Sequence, residues 1–216
     1  MSASKLGEYV DCGATRRERI IRDQKFPSDF ITARYRDAED AIRAAMLSDA
    51  VLSALSEKAQ LLDMKEATNP HQVEVRASCA QAVRRFARMY HDLPLAGVTP
   101  TLIGNRKVQI EGVEVSVRPT LGTQRINKKG IVERGAILLV MSKSINLTDR
   151  SGGAVAELLR TALIEAGFEN VHPSLCMIVD VFRRKVYTPP RATKRLSTEI
   201  ACACREIAAR WSKMAA

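Results

Sequence analysis

The sequence of 216 residues contains no run of 18 apolar residues, and Met1–Glu18 is polar and charged rather than basic and then apolar. We therefore expect neither a membrane-spanning helix nor a secretory leader. With 46% hydrophobic and 27% charged residues, the composition excludes the collagenous, low-complexity and disordered classes and supports one sizeable core. The sequence predicts a soluble, cytoplasmic protein that forms a single domain over residues 1–216.

Motifs for metal or thiol chemistry are scarce. The five cysteines are scattered through the chain without a C-x-x-C pair, and only three histidines are present that could act with them as metal ligands. Structural zinc sites need closely spaced Cys and His ligands, and a nucleophilic thiol needs a neighbouring base. We therefore expect no cofactor, and we expect Cys79, Cys176 and Cys204 to be small buried side chains in a reducing compartment.

Positive charge is concentrated in the second half of the chain. The sequence has 34 Lys and Arg against 24 Asp and Glu. Residues 1–92 hold 15 bases and 14 acids, whereas residues 93–216 hold 19 bases and 10 acids. An asymmetric positive field attracts phosphate backbones and gives salt-dependent binding. The charge pattern predicts a nucleic-acid partner, with DNA favoured over RNA and no membrane partner.

Helical periodicity dominates the first part of the chain. Apolar residues recur at helical spacing between Arg34 and Ala67, where the sequence has no Gly or Pro. Asn69-Pro70 then supplies an N-cap residue followed by proline at the first helical position. These signals predict a helical N-terminal layer over residues 1–66, and a similar apolar stripe from Leu196 to Trp211 predicts a last helix.

From Val98 onward the hydrophobic period changes to two, which indicates strands. The alternation over residues 107–118 predicts a hairpin. Two continuous apolar runs, Ala136–Met141 and Leu175–Phe182, predict strands buried on both faces, with a helix from about Ala154 to Ala166 between them. The predicted fold class is α/β (α+β), with a small mixed sheet of about five strands flanked by helices in a core over residues 67–216.

The order of these elements over Val75–Tyr187 resembles the core of the restriction-endonuclease-like, or PD-(D/E)XK, nuclease superfamily. In that family the second core strand offers an Asp, and the third carries an acidic residue and a Lys two positions apart. The carboxylates hold Mg²⁺, which polarises the phosphate and activates a water, while the Lys stabilises developing charge. The resemblance implies a restriction-endonuclease-like fold and, if the site is active, a nuclease that depends on Mg²⁺ or Mn²⁺.

On this chain the resemblance implies Glu114, in Val113–Arg118, as the carboxylate of the second strand. The third strand, Ala136–Met141, has no acid-x-Lys pair, so Lys143 at its end and Asp180 on the later strand would have to supply those groups. The implied catalytic set is Glu114, Asp180 and Lys143, with Glu114 and Asp180 as metal ligands. Because the third-strand pair is missing, two interpretations are open. One is an active nuclease, and the other is an inactive descendant that binds DNA. Asp180 has a second interpretation, as the partner of a nearby arginine.

Two basic segments are candidates for phosphate contacts. The segment Arg183–Arg195 holds six bases and no acid, with Tyr187 available to stack on a base, and Gly122–Gly130 is predicted as a basic loop between glycines. The predicted nucleic-acid-binding residues are Arg118, Arg125, Lys128, Lys129, Arg183, Arg184, Lys185, Arg191, Lys194 and Arg195.

We expect these bases to hold the phosphate backbone without strong sequence preference, because nothing in the chain resembles a recognition helix with base-reading side chains. Two alternatives remain open. One is the active metal-dependent nuclease. The other is a protein-interaction module or homodimer whose basic surface meets an acidic protein partner.

Overall fold

The chain begins with helices and continues with strands. The computed structural model describes residues 1–26, 34–66, 69–143 and 145–213. In these ranges the helices are α1 (Ala3–Asp11), α2 (Ala14–Lys25), α3 (Arg36–Met46), α4 (Val51–Met64), α5 (Pro70–Met89), α6 (Asp149–Glu165) and α7 (Thr193–Trp211). The strands are β1 (Thr99–Thr101), β2 (Arg106–Ile110), β3 (Val113–Val117), β4 (Leu121–Ile126), β5 (Val132–Val140), β6 (Val171–Asp180) and β7 (Lys185–Tyr187). A single 3-10 turn, Tyr90–Asp92, follows α5.

Five of the strands form one mixed sheet in the order β1-β4-β5-β6-β7. Strands β1, β4 and β5 are antiparallel neighbours, β5 and β6 run parallel, and β7 is antiparallel to β6. Helix α6 connects the parallel pair, as a parallel connection requires. Strands β2 and β3 form a separate antiparallel hairpin. The predicted α/β class, with a five-stranded mixed sheet and a helical N-terminal region, is confirmed.

Alternate residues of the two central strands face two different cores. Ala136 and Ile178 contribute to a core that includes buried side chains of α1, α6, α7 and the β2–β3 hairpin. Ile137 and Val179 contribute to a second core, which includes buried side chains of α3, α4 and α5. Because successive side chains of a strand point to opposite faces, the sheet is the middle of three layers. The continuous apolar runs of β5 and β6 follow from burial on both faces.

Several local signals in the sequence produce the predicted structure. The Asn69 side chain accepts a hydrogen bond from the Gln72 amide, with Pro70 in the first turn of α5. The β2–β3 hairpin turns at Gly112, whose φ of +79° is readily adopted only by glycine. On β3 the apolar residues Val113, Val115 and Val117 are buried. These are the elements for which local propensity and tertiary packing agree.

The cysteine prediction is confirmed, because Cys79, Cys176 and Cys204 are buried. Burial raises the pKa of Cys176 to about 12 and that of Cys204 to about 11, which disfavours the thiolate. In the described part of the chain, no helix is long and apolar enough to cross a membrane.

Two glycine-containing stretches differ from the prediction. Gly122–Gly130 is not a loop, because Leu121–Ile126 forms strand β4 and leaves only a short turn before β5. Glycine is needed inside this strand because β1 passes close by, and a Cβ on Gly122 would lie 2.4 Å from Thr101 Oγ1. Helix α6 also begins earlier than predicted, at Asp149, because Thr148 and Ser151 form a capping box.

Candidate nucleic-acid interface

The basic residues predicted to bind phosphate lie at two opposite ends of the five-stranded sheet. Where β5 and β6 end, the chain continues into Lys143 and Arg183, and Arg118 lies just before the start of the antiparallel strand β4. We call this end the carboxyl-end surface. Lys128 and Lys129 lie in the turn between β4 and β5, at the opposite end. The fold therefore separates the predicted residues into two groups.

A cleft of about 580 Å³ opens at the carboxyl-end surface. One wall is α3, and the floor is formed by Leu139–Ser142 at the end of β5. Its lining includes four arginines, Arg34, Arg36, Arg43 and Arg118, and we call it the arginine cleft. Its volume lies within the range of about 300–1,000 Å³ that is usual for ligand sites.

Arg43 joins α3 to the start of β4. Its Nε donates to the carbonyl oxygen of Thr120 at 2.9 Å, and its guanidinium also pairs with Asp40 at 2.8 Å. The Thr120 hydroxyl donates to Glu39 Oε1 at 2.9 Å, so the same helix is held to the strand a second time. Arg43 is therefore a fixed part of the cleft wall, with its charge compensated by acids of α3.

Arg36 and Arg118 differ from Arg43 in having no acidic partner. Both are exposed, and within the described ranges no carboxylate oxygen lies within 4.0 Å of either guanidinium. Arg34, by contrast, pairs with Glu74 and donates to the Ser78 hydroxyl at 3.2 Å. Two unpaired guanidinium groups on one cleft can donate hydrogen bonds to phosphate oxygens without first breaking an ion pair.

The sequence pattern indicates Arg118 as a phosphate contact but not Arg34, Arg36 or Arg43. One signal was available, because Arg36 and Arg43 are seven residues apart and lie on one face of a helix. The packing of α3 beside the β3–β4 connection, however, depends on tertiary structure that no local pattern contains.

Asp180 closes the turn between β6 and β7. Its side chain is fully buried and accepts a hydrogen bond from the Arg183 amide at 3.0 Å and from the Arg183 guanidinium at 3.4 Å. The same guanidinium donates to the carbonyl oxygen of Lys143 at 3.2 Å, and Lys143 Nζ lies 5.2 Å from the centre of the Phe182 ring. Arg183, Asp180 and Lys143 are thus brought together as a structural cluster at the end of the sheet.

Glu114 is not part of this cluster. It is on the β2–β3 hairpin, where its carboxylate pairs with Lys107 at 2.8 Å, and it lines a groove with Trp211 at the end of α7. Helix α7 starts at the carboxyl-end surface, where Arg195 and Arg150 both pair with Glu199. The β2–β3 hairpin that carries Glu114 is not hydrogen-bonded to the five-stranded sheet that carries Asp180.

The two predicted metal carboxylates therefore do not fit one divalent-metal site. The neighbours of β5 are β4 and β6, and Val113–Arg118 belongs to a separate sheet, so Glu114 and Asp180 lie in different sheets. The Asp180 carboxylate already accepts a hydrogen bond from the Arg183 amide and pairs with the Arg183 guanidinium. Among the described residues, no group of three or more Asp, Glu, His or Cys side chains is arranged to hold a metal ion.

The segment Arg183–Arg195 is less positive than its sequence predicts. Arg184 pairs with Asp92 at 3.0 Å, Lys185 with Asp149 at 2.8 Å and Arg195 with Glu199 at 3.0 Å. The hydrogen bond from Asp149 raises the pKa of Lys185, and that from Arg195 lowers the pKa of Glu199. These acids come from α6, α7 and the 3-10 turn, so their positions were not visible in the segment itself.

Two bases of this segment lack an acidic partner. Arg191 and Lys194 are exposed near the start of α7, and none of the described carboxylates lies within 4.0 Å of them. Tyr187 is not available for stacking, because its ring is buried and its hydroxyl donates to the Leu147 carbonyl oxygen at 2.7 Å. The segment thus contributes two unpaired cations to the carboxyl-end surface.

At the opposite end, Arg125 belongs to β4 and not to a loop. It pairs with Glu133 on β5 at 2.6 Å, and this hydrogen bond lowers the pKa of Glu133. Lys128 and Lys129 remain exposed, without an acidic partner in the part of the chain that the structure describes. This end therefore carries a smaller positive site of its own.

Comparison with other proteins adds nothing to this geometry. No protein-family model matches the chain, and no curated protein matches it. The charge and shape of the carboxyl-end surface are therefore the evidence for what it binds.

Proposed function

We propose that the protein binds the phosphate backbone of nucleic acid at its carboxyl-end surface, with DNA favoured over RNA. The observation that carries this proposal is the arginine cleft, where Arg36 and Arg118 have no acidic partner among the described residues. Guanidinium groups match phosphate oxygens in a bidentate geometry, and an unpaired one contributes its full charge to binding. Arg191 and Lys194, near the start of α7, are exposed at the same end of the sheet.

Binding of this kind depends on backbone charge and not on base sequence. Arg36 and Lys194 lie in the first turns of α3 and α7, and Arg118 and Arg191 lie in connections between elements. Contacts to phosphate fix position on a duplex but carry no sequence information. The function is therefore binding with little sequence preference.

The order of elements agrees only in part with the resemblance to the nuclease superfamily. Helix α5 is followed by the antiparallel strands β1, β4 and β5, then by α6 and the parallel strand β6. The resemblance made Val113–Arg118 the second core strand, whereas in the structure this strand belongs to the separate β2–β3 hairpin and β4 is the antiparallel neighbour of β5. Because Glu114 and Asp180 do not share a site, we propose a descendant that binds DNA without cleaving it.

The test compares two double variants that remove the same formal charge. Arg36→Gln with Arg118→Gln alters the arginine cleft, whereas Arg19→Gln with Arg22→Gln alters exposed arginines of α2 that pair with Asp23 and Glu18. Binding to a mixed-sequence DNA duplex, and to an RNA duplex of the same sequence, is measured by anisotropy between about 50 and 200 mM salt.

We expect the cleft variant to weaken binding and to reduce the slope of log K against log salt by about 2, because each phosphate contact contributes about 0.9. The control should keep the wild-type slope. Equal slopes for all three proteins would reject the arginine cleft as the binding site. Cleavage of the DNA in Mn²⁺ would contradict binding without catalysis.

A further inference from the structure

The hairpin formed by β4 and β5 projects beyond its neighbours in the sheet. Strand β1 pairs with β4 only as far as Gln124, and β6 pairs with β5 only from Arg134 onward. Two more pairs of the β4–β5 ladder, Arg125 with Glu133 and Ile126 with Val132, lie outside the sheet. We call residues 125–133 the hairpin tip. It is a free two-stranded ribbon closed by a turn.

The hairpin tip is held in one conformation by its own hydrogen bonds. The Asn127 amide donates to the Ile131 carbonyl oxygen at 2.9 Å, and the Gly130 amide donates to the Asn127 carbonyl oxygen at 3.0 Å. Asn127 Oδ1 accepts from the Lys129 amide at 2.9 Å and the Ile131 amide at 3.1 Å, while Asn127 Nδ2 donates to Glu133 at 3.0 Å. A preformed tip loses little conformational freedom when it binds.

The surface of the tip combines exposed apolar groups with unpaired cations. Ile126 is 71% exposed and Ile131 is 43% exposed, on either side of the turn. Lys128 and Lys129 lie between them, exposed and without a carboxylate within 4.0 Å in the described residues. Glu133, the one acid of the tip, already pairs with Arg125 and accepts a hydrogen bond from Asn127. Neither the fold nor the carboxyl-end surface uses these four side chains.

We propose that the hairpin tip enters a groove of duplex DNA, with Lys128 and Lys129 of the turn reaching the phosphates that line the groove. Ile126 pairs with Val132, so Ile126 and Ile131 lie on opposite faces of the ribbon and pack against the bases on either side of it. This inference rests on the proposed function and assigns it a second contact. A strand rises about 3.4 Å per residue, so the tip reaches about 10 Å beyond the sheet. That reach matches a DNA groove about 8 Å deep, and a two-stranded ribbon is narrow enough to enter one. Apolar wedges flanked by basic residues are a known way to part stacked base pairs.

DNA fits this tip better than a membrane surface does. Two isoleucine side chains contain fewer carbon atoms than a single myristoyl chain, which itself gives only marginal membrane binding. The two exposed lysines, in contrast, carry charge that phosphate groups neutralise and an apolar partner does not.

The test uses Ile126→Ser with Ile131→Ser, and Leu102→Ser as the control. Leu102 is 76% exposed and follows β1, so the control removes an equally exposed apolar side chain away from the tip. All three positions are exposed, so the variants should keep the wild-type circular dichroism. Each protein is titrated against duplex DNA that carries 2-aminopurine at several positions, whose fluorescence rises when bases unstack.

We expect the tip variant to bind the duplex about tenfold more weakly, since the burial of one isoleucine is already enough for that factor. Its fluorescence rise should be lost while its salt slope stays unchanged, and Leu102→Ser should behave as the wild type. If the wild type does not bind DNA, the proposed function fails and this inference fails with it. If the wild type binds but the tip variant matches the control, only this inference is overturned.

A membrane role is tested on the same proteins with vesicles of anionic phosphatidylglycerol. Sedimentation of the wild type with vesicles, lost in the tip variant whose DNA binding is unchanged, would overturn the groove contact in favour of a lipid surface. We expect no difference between the tip variant and the Leu102→Ser control in this assay.

Discussion

The ring of Tyr187 lies against the backbone of Gly152, so closely that a Cβ on Gly152 would be 2.3 Å from the ring Cγ. Gly152 is in the first turns of α6, and Tyr187 is in the edge strand β7. The Tyr187 hydroxyl is fixed by the Leu147 carbonyl oxygen at 2.7 Å, so the ring cannot easily move away. This contact packs the start of α6 tightly against the edge strand β7 at the carboxyl-end surface.

The adjacent glycine provides a matched control for this contact. We expect Gly152→Ala to lower the free energy of unfolding by about 1–3 kcal/mol, because the added methyl group overpacks the site. At Gly153 the nearest atom to an added Cβ is 3.6 Å away, so Gly153→Ala should be neutral or stabilise by about 0.5–1 kcal/mol through helix propensity. Urea unfolding of the two variants measures the difference. Equal effects would show that the Tyr187 ring adapts freely.

The same glycines explain where the fold could not be predicted from sequence. The sequence predicts Gly122 in a loop and a helix that starts only at about Ala154, after Gly152, since glycine most often marks loops and turns. Both are needed instead where another element approaches closely, Thr101 in one case and Tyr187 in the other. The identity of the approaching residue is tertiary information. The β2–β3 hairpin, by contrast, was predictable because its turn glycine and its alternating valines are both local.

The candidate site was predictable only in part, for a similar reason. A run of bases indicates positive charge, but the net charge of a surface depends on acids that other elements supply. Arg184, Lys185 and Arg195 are compensated by Asp92, Asp149 and Glu199. The arginine cleft forms in the opposite way, because α3 and the β3–β4 connection bring together bases that are distant in sequence.

Asp180 can be tested as a structural residue against its interpretation as a metal ligand. Asp180→Ala removes the acceptor of the Arg183 amide, and we expect it to lower the free energy of unfolding by about 1–3 kcal/mol, the usual cost of an unsatisfied buried group. Asp180→Asn keeps a side-chain oxygen for that amide and should cost less. Unfolding is measured in urea with and without Mg²⁺.

The effect of Mg²⁺ separates the two roles of Asp180. We expect Mg²⁺ to leave the unfolding midpoints of the wild type and of both variants unchanged. Stabilisation of the wild type by Mg²⁺ that Asp180→Asn abolishes would instead identify Asp180 as a metal ligand.

Tyr9 makes stability depend on alkaline pH. Burial, together with the nearby Glu206 carboxylate, raises the pKa of Tyr9 from 10.0 to about 12 in the folded protein. Because the folded state holds this proton more tightly than the unfolded state, the contribution to stability is complete below pH 10 and is lost as the pH rises toward 12. The loss should be on the order of 2 kcal/mol. We expect Tyr9→Phe, which has no proton to lose, to show a shallower fall in unfolding free energy over this range. The measurement is urea unfolding at several pH values between 9 and 12, and parallel curves for the two proteins would exclude Tyr9 as the source of the dependence.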